Sequence, residues 1–331
     1  METAKTVTAY SLGHFLVDFA CAFALFRFGA GTPDWPLAML LYNALAFAGQ
    51  MPLGLLADRL GNGRLFAAGG CLLVAAAYLF PGAPLLLAVT AGLGNALFHI
   101  GGGFDTLSLE GNRAGLLGVF VSPGALGLFL GTLGGRGGVL PAWIPPLALL
   151  AAAGMILLLC ARTGAGTVEL DLSGAGRGAV AALFLVVCLR SYAGFLFAFP
   201  WRTGCWAWIL VVCVVLGKAA GGFLYDRLGG RTASILSLGL AAALFCRSGS
   251  PLCGCAAAAL FNMTMPVTLR AAADRLPGLR GFSFGLLTFA LFLGFLPAYL
   301  SLPGISAGWM YGALSLASLA LLLPALGRER P

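Results

Sequence analysis

Charge is what this sequence has least of. Lys, Arg, Asp and Glu make up 9% of its 331 residues, where a soluble domain carries about 25%. Only 11 acidic residues and two histidines occur in the whole chain. With 60% hydrophobic residues and a mean hydropathy of +0.98, the chain belongs in lipid rather than water. Motifs of hydrolysis and nucleotide use are missing too: there is no GxxxxGK followed by Ser or Thr, no Gly-x-Ser-x-Gly and no His-Glu-x-x-His. We therefore expect no enzyme, no ATP use and no cofactor.

Nine cysteines do not make a disulfide framework here, because Cys21, Cys71, Cys160, Cys188 and Cys213 lie inside apolar runs as small packing residues. Cys253-Gly-Cys255 is the one close pair, and no further metal ligands flank it. The formal charge of +8 is spread over short loops instead of a basic arm, so nucleic acid is not an expected partner. Membrane lipids are.

Twelve apolar segments can be drawn, at about 7–28, 36–57, 65–80, 84–106, 114–133, 141–161, 179–200, 205–225, 232–247, 251–272, 281–301 and 305–326. His14 and Asp18 interrupt the first, which argues for a retained helix over a cleaved signal. With the amino terminus cytoplasmic, the inner side holds Lys5, Arg59, Arg64, Arg113, Arg162, Arg177, Arg227, Arg231, Arg270, Arg275, Arg280, Arg328 and Arg330. The outer side holds only Arg27, Arg136, Arg202 and Arg247. This positive-inside bias puts both termini in the cytoplasm of a cell bounded by an inner or plasma membrane. All six tryptophans then fall near the outer ends, at headgroup level.

The chain also repeats itself. Gly49-Gln-Met-Pro-Leu-Gly-Leu-Leu-Ala-Asp-Arg-Leu-Gly61 returns as Gly217-Lys-Ala-Ala-Gly-Gly-Phe-Leu-Tyr-Asp-Arg-Leu-Gly229, close to half the chain later. Ala96-Leu-Phe-His99 is echoed by Ala259-Leu-Phe-Asn262. Parallel repeats of six spans, with sites near the midplane between them, are one way secondary transporters are built. This divides the chain into a first bundle at 1–164, a cytoplasmic linker at 165–178 and a second bundle at 179–331. Small residues in the repeat let helices approach closely, and Asp58 and Asp226 can pair with Arg or cap a neighbouring helix.

The repeated loop resembles the signature of the major facilitator superfamily between helices 2 and 3, with its weaker copy between 8 and 9. That resemblance implies an all-α membrane protein of twelve transmembrane helices in two pseudo-symmetric six-helix bundles. It assigns Asp58, Arg59, Arg64, Asp226, Arg227 and Arg231 to gating rather than to substrate. A narrower likeness rests on Gly13-His-Phe-Leu-Val-Asp18, Ala96-Leu-Phe-His99, Ser122-Pro-Gly-Ala-Leu-Gly-Leu-Phe-Leu-Gly131 and Arg190-Ser-Tyr-Ala-Gly194. These stretches look like the fosmidomycin-resistance branch, which resembles proton-coupled drug exporters. That branch has Pro-Glu after the helix-4 histidine, where this chain has Ile100-Gly101, so one acidic group is missing.

Ionisable side chains inside a membrane cost roughly 2.5–3.5 kcal/mol on insertion scales and need a partner or a wet cavity. Asp18 and Arg190 occupy equivalent positions in the two halves. One reading gives Arg190 an anionic substrate and Asp18 a proton; the other makes them a static ion pair. His14 lies one turn before Asp18, either relaying its proton or hydrogen-bonded to a neighbouring helix. His99 shares that ambiguity. Two histidines without flanking carboxylates do not make a metal site. Lys218 either extends the positive charge of Arg190 toward substrate or snorkels to the cytoplasmic face. Tyr192, Asn43, Gln50 and Asn262 complete the candidate substrate lining, and Asp105 is a gate residue before it is a proton carrier.

The expected function is proton-coupled export of a small anionic or amphipathic compound by a monomeric transporter, with the substrate and H+ as partners. Uptake of an organic anion by the same machinery is the alternative within transport. A receptor or lipid-handling protein that kept the fold without coupling is the alternative outside it.

Overall fold

The computed structural model describes residues 2–109, 113–138, 140–162, 164, 176–300, 302 and 307–327. Most of the expected linker, together with Arg328 and Arg330, lies outside the described residues. Their regular secondary structure is helical, with no strand among them. In chain order the helices are α1 (Glu2–Ala24), α2 (Trp35–Asn43), α3 (Gln50–Leu60), α4 (Gly63–Ala77), α5 (Pro84–Ser108), α6 (Ala114–Val121) and α7 (Pro123–Gly137). Then come α8 (Ile144–Leu159), α9 (Arg177–Leu196), α10 (Gly204–Phe245), α11 (Pro251–Asn262), α12 (Thr264–Arg275), α13 (Arg280–Tyr299) and α14 (Gly308–Leu326).

Over the described residues, each of the twelve expected apolar segments lies largely on helix. Among the described residues nine helical stretches are long and apolar enough to cross a membrane, and α4 and α8 are shorter apolar helices. The 42-residue α10 is two rods, broken at Gly229, whose φ of 77° no other residue type adopts readily. Its counterpart in the first repeat, Gly61, ends α3 in the left-handed conformation at φ 59°. The repeated glycine is thus the turn of each repeat.

Apolar periodicity does not foretell the interruptions within some segments. Prolines explain three of them, because each lacks the N–H that should reach the carbonyl four residues back. Pro52 deprives Ala48, where a π-turn spans Ala44–Ala48. Pro123 cannot make that bond at the junction of α6 and α7, and Pro266 cannot make it between α11 and α12.

Two compact units emerge. The first comprises Met1–Glu110, Pro123–Val168 and Gly278–Phe289; the second comprises Gly111–Ser122, Glu169–Pro277 and Ala290–Pro331. Neither is a continuous stretch of chain. In the first unit α1 lies on α7 along a seam of small residues. A Cβ on Gly127, Gly131 or Gly135 would run into the carbonyl oxygen of Phe15, Phe19 or Phe23 respectively. The three phenylalanines stack along α1 with centroids 6.0 and 6.1 Å apart. Such backbone approach is how helices associate where water supplies no hydrophobic drive. It fixes the rotation of α1, and with it the direction of His14 and Asp18.

In the second unit Gly217 and Gly221 of α10 lie against the carbonyls of Ala259 and Met263. An aromatic cluster holds the ends of the helices together. Tyr311 sits 5.0 Å from Phe197 and 5.5 Å from Phe245, centroid to centroid, and its hydroxyl donates to the Leu196 carbonyl at 2.6 Å. Edge-to-face rings of this kind bury large area with defined geometry.

Candidate functional site

The first unit contains a compact polar cluster built from two helical i, i+4 pairs. His14 and Asp18 project from α1, Asn95 and His99 from α5. The two imidazoles meet Nε2 to Nε2 at 2.9 Å, and their rings stand edge to face. Asp18 reaches both: one carboxylate oxygen lies 3.3 Å from His14 Nε2, the other 3.7 Å from His99 Nε2. Asn95 serves the cluster twice. Its side-chain amide donates to Asp18 at 3.0 Å, and its backbone carbonyl lies 2.9 Å from His99 Nδ1.

That second contact settles a tautomer. A carbonyl only accepts, so the hydrogen of a neutral His99 sits on Nδ1 and its Nε2 carries a lone pair. The short approach of the two Nε2 atoms then requires a hydrogen on His14 Nε2. One proton is therefore held where His99 and Asp18 can both accept it. Gly124 of α7 closes the cluster from the third side, and a Cβ there would overlap His14 Nε2 and Asp18 Oδ2. Asp18 keeps 20% of its side chain exposed.

One turn earlier on α1, the Tyr10 hydroxyl donates to Asp105, both groups buried. The acid expected at a gate is thus held inside this unit. The missing glutamate has a physical reason: any Cβ on Gly101 would meet the Gly63 carbonyl and the Ala67 backbone nitrogen of α4. No acidic side chain fits there.

Both repeat loops place their aspartates on the first turn of a helix. Asp58 accepts from the N–H groups of Gly281 and Phe282 at 2.7 and 2.8 Å, at the start of α13. Asp226 accepts from Ala114 and Gly115 at 2.8 and 2.9 Å, at the start of α6. A carboxylate here satisfies two orphan donors and faces the positive end of the helix dipole. Asp58 is buried and Asp226 exposed. Around them Arg64 donates to the Cys160 carbonyl at 3.3 Å, and Arg231 to the carbonyls of Leu323 and Gly327 at 2.8 and 2.9 Å. Arg59 and Arg227 are exposed.

In the second unit Arg190 of α9 is 8% exposed, and its guanidinium donates to the Thr268 hydroxyl at 3.2 Å. Among the described residues this unit has two acids, both engaged elsewhere: Asp226 caps α6 and Asp274 pairs with Arg270. Arg190 thus has no carboxylate partner within its described unit. Thr268 was not a sequence candidate, because a threonine in an apolar helix carries no signal of its own. Lys218 on α10 and Tyr192 on α9 are half-buried. Asn43, Gln50 and Asn262 turn their amides back on their own helices, to Met39, Ala46 and Ala258. Gln50 keeps a buried carbonyl oxygen with no partner among the described residues.

No protein-family model matches the sequence, and no curated protein matches it. Solved structures do match in shape. The E. coli fucose:proton symporter aligns over 98% of both chains at 13% identity, with a TM-score of 0.68. The human organic anion transporter MFSD10 aligns over 97% of this chain and 99% of its own at 17% identity, with a TM-score of 0.72. A bacterial homologue of the iron transporter ferroportin, in its outward-facing state, aligns over 97% of both at 17% identity and a TM-score of 0.62. With nine helical stretches among the described residues long and apolar enough to cross a membrane, the chain is a multi-pass membrane protein with the major-facilitator fold.

Proposed function

We propose that this chain is a secondary active transporter that exports a small anionic or amphipathic compound by alternating access, coupled to protons. Arg190 carries the reading. A guanidinium removed from water is costly unless paired, and removing one partner of a buried pair typically costs about 3–5 kcal/mol. Arg190 is buried with one hydroxyl and no acid of its described unit, which suits it to an anion that arrives from outside. Lys218 and Tyr192 extend the site, with Asn43, Gln50 and Asn262 as polar lining.

The proton is carried by His14, Asp18 and His99, a reading supported by the closeness of their side chains, 2.9 Å between the imidazoles and 3.3 and 3.7 Å from them to the carboxylate. The helix caps at Asp58 and Asp226 form and release as the site alternates, with Arg59, Arg64, Asp105, Arg227 and Arg231 around them. The protein works as a monomer in the cell membrane with both termini cytoplasmic. The similar structures are named for proton symport and organic-anion transport, chemistries that these two clusters suit. The likeness to a proton symporter favours anion uptake as the second reading. The stretches resembling the fosmidomycin-resistance branch favour export.

Flux of labelled phosphonates and carboxylates into proteoliposomes, under an imposed pH gradient, tests this. Wild type should accumulate label, Arg190→Ala should not, and Asp18→Asn should exchange label without gradient-driven accumulation. Normal transport by both variants would sink the proposal. Binding without flux would mark a receptor.

A further inference from the structure

We propose that His14, Asp18 and His99 also form a binding site for a divalent transition-metal ion of the zinc, cobalt and nickel class. The spacing of the donors is the first argument. A tetrahedral ion bonded at about 2.0–2.1 Å needs donor atoms about 3.3–3.4 Å apart. The imidazole nitrogens lie 2.9 Å from each other, and each is near one Asp18 oxygen, His14 Nε2 at 3.3 Å from Oδ2 and His99 Nε2 at 3.7 Å from Oδ1. All three donors converge within 4.8 Å of one another. Two imidazoles and a carboxylate make a donor set that such ions take and that Mg2+ and Ca2+ do not favour.

Orientation is the second argument. Imidazoles that bind metals donate their other ring N–H to a carbonyl or carboxylate, which fixes the tautomer and aims the lone pair. His99 does this with the Asn95 carbonyl at 2.9 Å, leaving Nε2 aimed at the cluster centre. The Asn95 amide holds the carboxylate in the same way, at 3.0 Å. One asparagine thus orients two of the three ligands.

Packing is the third. Gly124 lies so close to His14 Nε2 and Asp18 Oδ2 that a Cβ there would overlap both, so the two donors keep their positions only beside a glycine. Three protein donors leave the fourth position of a tetrahedral ion to water or another small ligand. A metal there replaces the hydrogen between the imidazoles, so ion and proton exclude one another. Metal binding is a property of the resting protein and needs no transport, so its failure leaves the anion-transport reading standing.

The full chain, purified in detergent and stripped with chelator, is titrated with Co2+ and followed by visible absorption. One equivalent should give the intense bands of tetrahedral nitrogen and oxygen coordination, without a thiolate charge-transfer band. Zn2+ should displace it and excess Mg2+ should not. His99→Gln, and separately Gly124→Ala, should weaken Co2+ binding at least tenfold. Gly124→Ala keeps all three ligands in the sequence and pushes His14 and Asp18 out of position. The proposal is overturned by no Co2+ binding, by a thiolate band that points to the cysteines, or by unchanged affinity in both variants.

Discussion

His14 Nε2 and His99 Nε2 lie 2.9 Å apart, on different helices and 85 residues apart in sequence. A pair of this kind should be energetically coupled. Replacing either histidine by Ala and then both should give a double-mutant cycle with an interaction energy of about 0.5–3 kcal/mol. Thermal unfolding in detergent measures it. Additive losses would mean the two rings only pass close by.

The two helix caps offer an internal comparison. Losing a cap costs about 0.5–2 kcal/mol. Asp58→Ala should fall at the upper end of that range because Asp58 is buried and no water replaces it at Gly281 and Phe282. Asp226→Ala should fall at the lower end, as water can reach the exposed start of α6. Melting temperatures of the two variants, compared side by side, check the order.

The seam between α1 and α7 should be intolerant of bulk. Gly131→Val forces a branched side chain against the Phe19 carbonyl and should destabilise the fold by about 1–3 kcal/mol. Gly154, which has nothing near its missing Cβ, should accept alanine without loss. A melt of each variant separates local crowding from a general dislike of substitution.

Tyr10→Phe removes the hydroxyl that donates to Asp105 and leaves a buried carboxylate short of a donor. A loss of about 1–3 kcal/mol is expected. Restoring balance with Tyr10→Phe and Asp105→Leu together should recover part of it, measured again by unfolding.

Much of the architecture was legible because it is written in composition. Long apolar runs and charged loops mark where a chain leaves and enters lipid, and over the described residues each expected run lies largely on helix. The breaks depended on where a proline stands relative to a carbonyl four residues back, which periodicity averages away. The aspartates of the repeat were readable as helix caps, whereas their partners, 112 and 223 residues distant, were not. The polar cluster was half visible. His14 and Asp18 share a helical face by spacing alone, as do Asn95 and His99. That the two faces meet depends on which side of α1 the glycine seam of α7 turns inward, a packing fact that no local pattern states. Thr268 and Tyr10 were invisible for the same reason.

The cap on α13 has a consequence for the order in which the chain is made. Asp58 waits for partners that lie 223 residues further along. At roughly 5–20 residues per second, synthesis delays them by about 10–45 s. Asp226 meets no such delay, since Ala114 and Gly115 precede it. The cap on α13 therefore forms only once α13 is made, while the cap on α6 can form as soon as the second repeat loop emerges.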